Sequence, residues 1–298
     1  MGVKLAVIIV NYNVKYFLKQ CLESVYNSIH LENIEVYVVD NDSKDGSVEM
    51  VAESFPEVKL IANKDNVGFS TANNQAIKET KAEYVVLLNP DTLVQSDSFM
   101  KVVDFMDHHP NAGGLGVKMI DGNGKFLPES KRGLPTPQVA FYKIFGFSKL
   151  FPKSKKFGQY HLGYLDKNET HSIDVLSGAF MVMRKETLDK VGLLDEDFFM
   201  YGEDIDLSYR ITQSGYKNYY YPETTIIHYK GESTKKSSVN YVYVFYKAMA
   251  IFAKKHFETN KATLFSRLIK IAIFFSASLA IIKRFFALFF LPVIDFCT

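Results

Sequence analysis

Several polar clusters in this sequence cut off apolar runs where side chains can bind or react. In Leu87-Leu88-Asn89-Pro90-Asp91-Thr92, the apolar run from Tyr84 to Leu88 ends in an amide, a proline and a carboxylate. If that run is a buried strand, Asp91 stands at its carboxyl end, where open α/β sheets bind ligands. A turn with a helix cap would use the same residue types. A second cluster, Gly202-Glu203-Asp204-Ile205-Asp206, places three acids within four residues at a helix start. Acids there complement the positive end of the helix dipole. The dipole does not account for Phe198, Phe199, Tyr201 and Gly202 just upstream. His228 opens His-Tyr-Lys-Gly-Glu-Ser and suits a structural role or a ligand role. Asn11 and Asp40 end two further apolar runs, and Asn63 a third. Such a shared polar rim is not needed for folding and is what a nucleotide crevice needs.

The elements that must position these residues follow from periodicity. Val3 to Val10 is a β-branched run, too short for a typical helix, and reads as a strand buried on both faces. Phe17, Cys21, Leu22, Val25 and Ile29 then recur at helical spacing. Ile34 to Val39 is a second strand, a helix follows around 48–54, and Val58 to Ala62 is a third strand. Asn66-Val67-Gly68-Phe69 leads into a helix carrying Asn73, Asn74 and Ile77, and Tyr84 to Leu88 is the fourth strand. This alternation predicts a mostly parallel sheet covered by helices on both faces, an α/β fold. Neither GxGxxG nor GxxxxGK[ST] occurs, so neither a dinucleotide fingerprint nor a P-loop is present.

A helix is expected over 99–108 and a strand around 113–119. From Asp121 to about Thr170 the chain is rich in Pro, Lys and aromatic residues with weak periodicity. It reads as a long insertion over one edge of the site, either a contact for a second substrate or a mobile loop. Ile173 to Met183 is strand-like, broken by Ser177-Gly178, where a glycine admits a ligand or forms a bulge. A helix is expected from Glu203 to Gln213, with Gly215 as its stop signal, and an aromatic-rich helix over Tyr241 to Phe257. Leu264 to Phe296 is strongly apolar, but Lys283-Arg284 interrupts it before the length a spanning helix needs. A helical hairpin or an interfacial segment fits it better, with packing on protein as the other reading.

The 298 residues suit one large domain with an appendage. A net charge of +2 gives no reason to propose a nucleic-acid partner. Cys21 and Cys297 lie far apart with no metal spacing, which suggests a reducing compartment. No signal peptide is expected at the N-terminus.

Taken together, VIIVNYN (7–13), VYVVDNDSKDGS (36–47), NVGFSTANNQAI (66–77), LLNPDT (87–92), LSGAFMVMRKE (176–186), LDEDFFMYGEDIDLSYR (194–210) and HYKGES (228–233) resemble the family 2 inverting glycosyltransferases of GT-A fold. Within that family they look most like the rhamnosyltransferase-type branch. The resemblance implies a GT-A domain over 1–235, with a nucleotide-binding half to about 120 and an acceptor-side half beyond it. Residues 236–298 would form a helical, membrane-associating extension. It implies a nucleotide diphospho-sugar donor, a glycan or lipid-linked acceptor, and a divalent cation, Mg²⁺ or Mn²⁺. Asp91 and His228 would be the metal ligands; where the family carries an Asp-x-Asp-like motif, this sequence has Asn89-Pro90-Asp91. Asp40 would recognise the base, since a pyrimidine N3–H is a donor and a carboxylate a pure acceptor. Asn11 and Tyr12 would line the same pocket. Asn66, Gly68 and Asn73 would flank the nucleotide and sugar, as would Asn89, Ser177 and Gly178. Asp204 would be the catalytic base, with Glu203 beside it.

The function this implies is a cytoplasmic transferase, peripheral at the inner face of the membrane, moving a sugar such as L-rhamnose from a dTDP donor. UDP-linked hexoses and N-acetylhexosamines remain open. A nucleotidyltransferase also uses metal and carboxylates on an α/β sheet, but the late Glu-Asp pair and His228 argue against it. An inactive carbohydrate-binding scaffold is the non-enzyme reading.

Overall fold

The computed structural model describes residues 2–28, 33–229 and 239–257, with Thr263 and Arg267 beyond them. The chain begins with β1 (Leu5–Asn11), α1 (Lys15–Tyr26), β2 (Ile34–Asp40), α2 (Ser47–Ser54), β3 (Lys59–Ala62), α3 (Phe69–Glu79) and β4 (Tyr84–Leu88). It continues with β5 (Thr92–Leu93), α4 (Ser98–His108), β6 (Ala112–Ile120), a 3-10 turn at Pro128–Ser130, α5 (Pro137–Ile144) and α6 (Phe147–Leu150). Last come β7 (His171–Ile173), β8 (Phe180–Arg184), α7 (Lys185–Val191), α8 (Glu203–Gln213), β9 (Lys217–His228) and α9 (Val239–His256).

The strands form one sheet in the order β3-β2-β1-β4-β8-β6-β9-β5, with β7 added alongside β9. The β3-β2-β1-β4 half is parallel. β8 runs antiparallel to both β4 and β6, while β6 and β9 are parallel. Every residue of β1 and β4 is buried, as strands covered on both faces must be. Leu5, Val7 and Ile9 face a layer containing Leu18, Leu22, Met50, Phe99 and Met106. Ala6, Ile8 and Val10 face the opposite layer, with Ala72, Ile77, Leu188, Leu207 and Ile211. Each of the larger side chains contributes about 1.5–3 kcal/mol on burial.

The apolar run 173–183 is not one bulged strand. β7 pairs with β9, and β8 lies between β4 and β6. Residues 174–179 cross between them, so Ser177 and Gly178 sit at the rim where β8 begins. Phe180 pairs with Leu88, which brings that rim beside Asn89. The 121–170 segment contains the 3-10 turn, α5 and α6, and Arg132 within it bridges to Val175, two residues after β7.

α9 packs on the main domain. Ala248, Met249, Phe252 and Ala253 are buried with Val175, Phe198 and Ile205. His256 Nε2 lies 2.6 Å from Asp206 Oδ1, and Lys255 pairs with Asp195 and Asp197. Among the described residues, no helix is long and apolar enough to cross a membrane. The expected interfacial segment, Leu264 to Phe296, lies outside the described residues apart from Arg267.

Candidate active site

β1 and β2 are in register, Asn11 opposite Asp40 at their carboxyl ends. Asn11 Nδ2 donates to Asp40 Oδ2 at 2.8 Å and to Ser43 Oγ at 3.1 Å. The Ser43 backbone N–H donates to Asp40 Oδ1 at 2.8 Å. Both carboxylate oxygens are therefore held, which fixes the rim and leaves each oxygen further acceptor capacity. These bonds also fix the Asn11 amide so that its Oδ1 is a buried acceptor without a partner among the described residues. Tyr12 is exposed at the mouth, and Asn13 takes a positive φ of 55° as the chain turns toward α1.

Asn89-Pro90-Asp91 continues from β4, and the Asn89 N–H donates to Ala179 O at 3.0 Å. Asp91 is buried, as is His228. The pairing of Thr92 in β5 with His228 in β9 brings His228 Nε2 to 3.3 Å from Asp91 Oδ1. Two residues 137 positions apart in sequence (228 − 91) thus meet at the rim.

α8 starts at Gly202, whose φ of 89° favours glycine; a Cβ there would lie 3.0 Å from the Phe198 ring and 3.1 Å from Ala248 Cβ. The three acids that follow have separate surroundings. Asp206 accepts from Arg210 Nε at 2.8 Å and pairs with His256, so it ties α8 to α9. Arg210 also donates to the carbonyls of Val191, Gly192 and Leu193, which makes it a structural clamp. Asp204 Oδ2 pairs with Arg132 and lies 3.3 Å from the Gly178 N–H. Arg132 also donates to Leu176 O, so it bridges the α8 start to the 174–179 crossing. Glu203 is buried, with Oε2 unpartnered among the described residues. Burial, and then the Asp204 charge next to it, push the Glu203 carboxyl up to about 8. At neutral pH Glu203 is largely protonated, a hydrogen-bond donor beside Asp204.

The start of α3 is bound to the loop before α8. Gly68 has φ 86°, and a Cβ on it would lie 2.8 Å from both Phe199 O and the Phe199 ring. The Phe69 N–H donates to Phe199 O at 2.8 Å, and Ser70 Oγ to Phe198 O at 2.8 Å. Asn74 clasps Leu194 through both its amide groups. Asn66 Oδ1 accepts from the Gly68 N–H at 3.1 Å and is itself exposed. Asn73 Nδ2 donates to Phe69 O, leaving Oδ1 buried without a partner among the described residues. The two halves of the chain are thus joined at this rim.

Of the residues singled out from the sequence, Asn11 and Asp40 are hydrogen-bonded at the ends of β1 and β2 with Tyr12 exposed beside them, Asn66 and Gly68 precede α3 and Asn73 lies on it, Asp91 meets His228, Asn89 is bonded to Ala179 beside Ser177 and Gly178, and Gly178 meets Asp204, next to Glu203. For a divalent cation the donor chemistry fits: one carboxylate and one imidazole converge at 3.3 Å. An octahedral ion held by two protein groups takes its remaining ligands from phosphate and water. Among the described residues, no group of three or more His, Cys, Asp or Glu is placed to hold a metal.

The sequence matches the family described as glycosyl transferase family 2 over residues 6–192. The chain belongs to glycosyltransferase family 2. The N-acetylglucosaminyl-diphospho-decaprenol L-rhamnosyltransferase of Mycobacterium tuberculosis is 27% identical over 265 residues, 85% of each chain. The fold is similar to that of a Pyrobaculum calidifontis mannosyltransferase solved with GDP-Man and Mn²⁺, with a TM-score of 0.60 and 17% identity over 92% of this chain and 70% of that one. It is similar also to S. aureus TarS residues 1–349 in complex with UDP-GlcNAc, with a TM-score of 0.57 and 18% identity over 88% and 70% of the two chains. The protein is a nucleotide-sugar glycosyltransferase with a GT-A fold.

Some parts of this glycosyltransferase site carry no local sequence signal. Arg132 stands beside Lys131 in a basic stretch and reads as surface charge, yet both of its partners are far away in sequence. Ser43 reads as a turn residue. Asn63 donates to Asn41 Oδ1 and exchanges hydrogen bonds with Gln75, and Asn41 Nδ2 donates to Gly68 O. Of these three amides the sequence singles out Asn63 alone, at the end of its apolar run.

Proposed function

We propose that this glycosyltransferase moves L-rhamnose from dTDP-L-rhamnose to a glycan or lipid-linked acceptor by a single inverting displacement, with Asp204 as the base. The observation that carries this reading is the convergence at one rim of Asp204, set by Arg132 and Gly178, with the Asn89–Asp91 turn, through the Asn89–Ala179 hydrogen bond. The acceptor hydroxyl attacks the anomeric carbon as the bond to the diphosphate breaks, and its proton passes to Asp204. Arg132 holds the Asp204 carboxylate in place, and neutral Glu203 can donate a hydrogen bond to a sugar hydroxyl. Asn11 and Asp40 supply acceptors for the N3–H of a pyrimidine base, with Tyr12 over its face. Asn66, Gly68, Asn73, Asn89 and Ser177 line the donor's path.

Asp91 and His228 would hold Mg²⁺ or Mn²⁺. When bound, such a cation neutralises the charge on the leaving diphosphate.

The rhamnose assignment is supported by the Mycobacterium tuberculosis relative, whose name specifies an L-rhamnosyl transfer to a diphospho-decaprenol acceptor. A UDP-linked hexose or N-acetylhexosamine is the second reading, because uracil and thymine offer Asn11 and Asp40 the same N3–H. The apolar C-terminal run supports placement at the inner face of a membrane and a role in envelope polysaccharide synthesis.

The test is a donor panel. Purified protein with Mn²⁺ or Mg²⁺ is offered dTDP-, UDP- and GDP-sugars, and nucleoside diphosphate release is recorded. Release from dTDP-L-rhamnose that is lost in Asp91→Ala supports the reading; release from a UDP-sugar alone replaces the donor. Neither turnover nor calorimetric binding with any donor would overturn it.

A further inference from the structure

The segment between Arg132 and β7 carries a surface that the reaction does not use. Residues 131–165 contain seven Lys or Arg and no Asp or Glu. Within it, Phe141, Phe145, Leu150 and Phe151 are exposed, Leu150 at 71% and Phe151 at 52%. These four are among only nine large hydrophobic side chains exposed in the described residues, so they form a local concentration. The rings are contiguous: Phe141 lies 4.5 Å from Phe145, Phe147 lies 5.5 Å from Phe157, and Phe151 lies 5.6 Å from Phe157, centroid to centroid. Phe141 and Phe147, 6.3 Å apart, join the two groups. Lys149, Lys153, Lys155 and Lys156 are exposed around them, while the Lys143 ammonium lies 3.3 Å from the centre of the Tyr160 ring. Lys131, by contrast, is buried and spends its ammonium on the carbonyls of Leu162 and Leu165.

We propose that the face formed by Phe141, Phe145, Leu150, Phe151 and the lysines from 149 to 156 docks on an anionic lipid bilayer. Exposed aromatic and aliphatic side chains ringed by lysines, with no acid among them, are complementary to a surface with an apolar interior and negative headgroups. A patch of that size is otherwise a cost in water. The face is separate in sequence from the C-terminal run, and its test does not depend on the assigned reaction. Its place in the fold gives it a use. The same segment begins at Arg132, on Asp204, and passes a cleft of about 340 Å³ lined by Gly133, Leu134, Thr136, Val139, Leu162 and Asp174. Val139 belongs to α5, which also carries Phe141. Docking there sets the acceptor side of the protein against the bilayer, where a lipid-linked glycan is presented.

The chain contains no Trp, so Leu150→Trp in the full chain supplies a fluorophore specific to this face. The experiment titrates it with phosphatidylglycerol vesicles, phosphatidylcholine vesicles and phosphatidylglycerol vesicles bearing brominated acyl chains. The expected result is a blue shift on anionic vesicles only, quenching by the brominated chains, and no such response from Met100→Trp on α4. Changing Lys149, Lys153, Lys155 and Lys156 to Gln should weaken the vesicle titration at least about a hundredfold, as each lysine near such a surface contributes about fivefold. Co-sedimentation with anionic vesicles while the indole stays water-exposed and unquenched would overturn the proposal and leave the C-terminal run as the contact. A blue shift that depends on protein concentration without vesicles, or that soluble polyphosphate reproduces, would also overturn it, assigning the face to a second copy or to a soluble polyanion.

Discussion

Gly68→Ala should destabilise the protein by separating the start of α3 from the loop that leads to Asp204. The backbone at Gly68 has φ 86° and ψ 168°, a region that essentially only glycine occupies. A side chain there costs about 1–3 kcal/mol in backbone strain. The added Cβ would lie 2.8 Å from both the Phe199 ring and Phe199 O. The ring is half-exposed and can swing away, but the carbonyl belongs to the backbone. Moving it breaks the Phe69 N–H to Phe199 O bond, about 0.5–1.5 kcal/mol more. The sum is about 2–4 kcal/mol, a fall in Tm of roughly 4–8 °C for a domain of this size. Gly146→Ala is the control: its φ is 78°, but nothing lies within 4 Å of a Cβ there, so only about 1–2 kcal/mol of strain applies. Thermal and urea unfolding of both variants give the comparison. A Gly68→Ala loss no greater than that of Gly146→Ala would refute the contact with Phe199 as a joint between the two halves.

Arg132→Met should cost about 3 kcal/mol, the low end for breaking a buried ion pair because both side chains keep 14% exposure. Transfer should fall while nucleotide binding, proposed to rest on Asn11 and Asp40, is kept, which calorimetry with the nucleoside diphosphate checks. Glu203 is raised to about 8 in the folded state, so between about pH 4.5 and 8 the folded protein holds a proton that the unfolded chain has released. Stability from this group is complete below pH 4.5 and is lost as pH rises through 8, by at most about 1.4 kcal/mol per pH unit. Glu203→Gln should remove that slope in denaturant titrations at pH 5 to 8; an unchanged slope would contradict the buried, neutral assignment. Phe252→Ala should cost about 3–5 kcal/mol, since that side chain is fully buried between α9 and α8. Loss of less than about 1 kcal/mol in urea unfolding would mean that α9 is not part of the cooperative fold.

The half of the sheet built from β1 to β4 was legible because burial writes itself into composition. β1 and β4 are covered on both faces, so they read as continuous apolar runs, and the polar residue ending each run marks the rim. The edge strand β3 was found from its flanking helices and turns, although its own residues are half-exposed or exposed. The 173–183 run misled because both of its strands have the same β-forming residues. Nothing local tells which neighbour each strand will choose, and the crossing at 174–179 follows from tertiary pairing. α7 is a short helix of charged residues, and β5 has two residues, too few to show a period. The site divides in the same way. Asn11, Asp40, Asp91 and Asp204 end or begin elements and stand out. Arg132 acts at a distance of 72 residues in sequence, and Asp91 meets His228 only because β5 pairs with β9.

The central claim is that Asp204 is the base of a sugar transfer for which donor binding is organised elsewhere on the rim. Asp204→Asn, nearly isosteric, tests it in one preparation carried through transfer kinetics and donor calorimetry. Transfer should fall by at least about a hundredfold, within the usual range for loss of a general base, with the donor Kd unchanged within about twofold. Retained transfer, or loss of donor binding in step with loss of transfer, would contradict it.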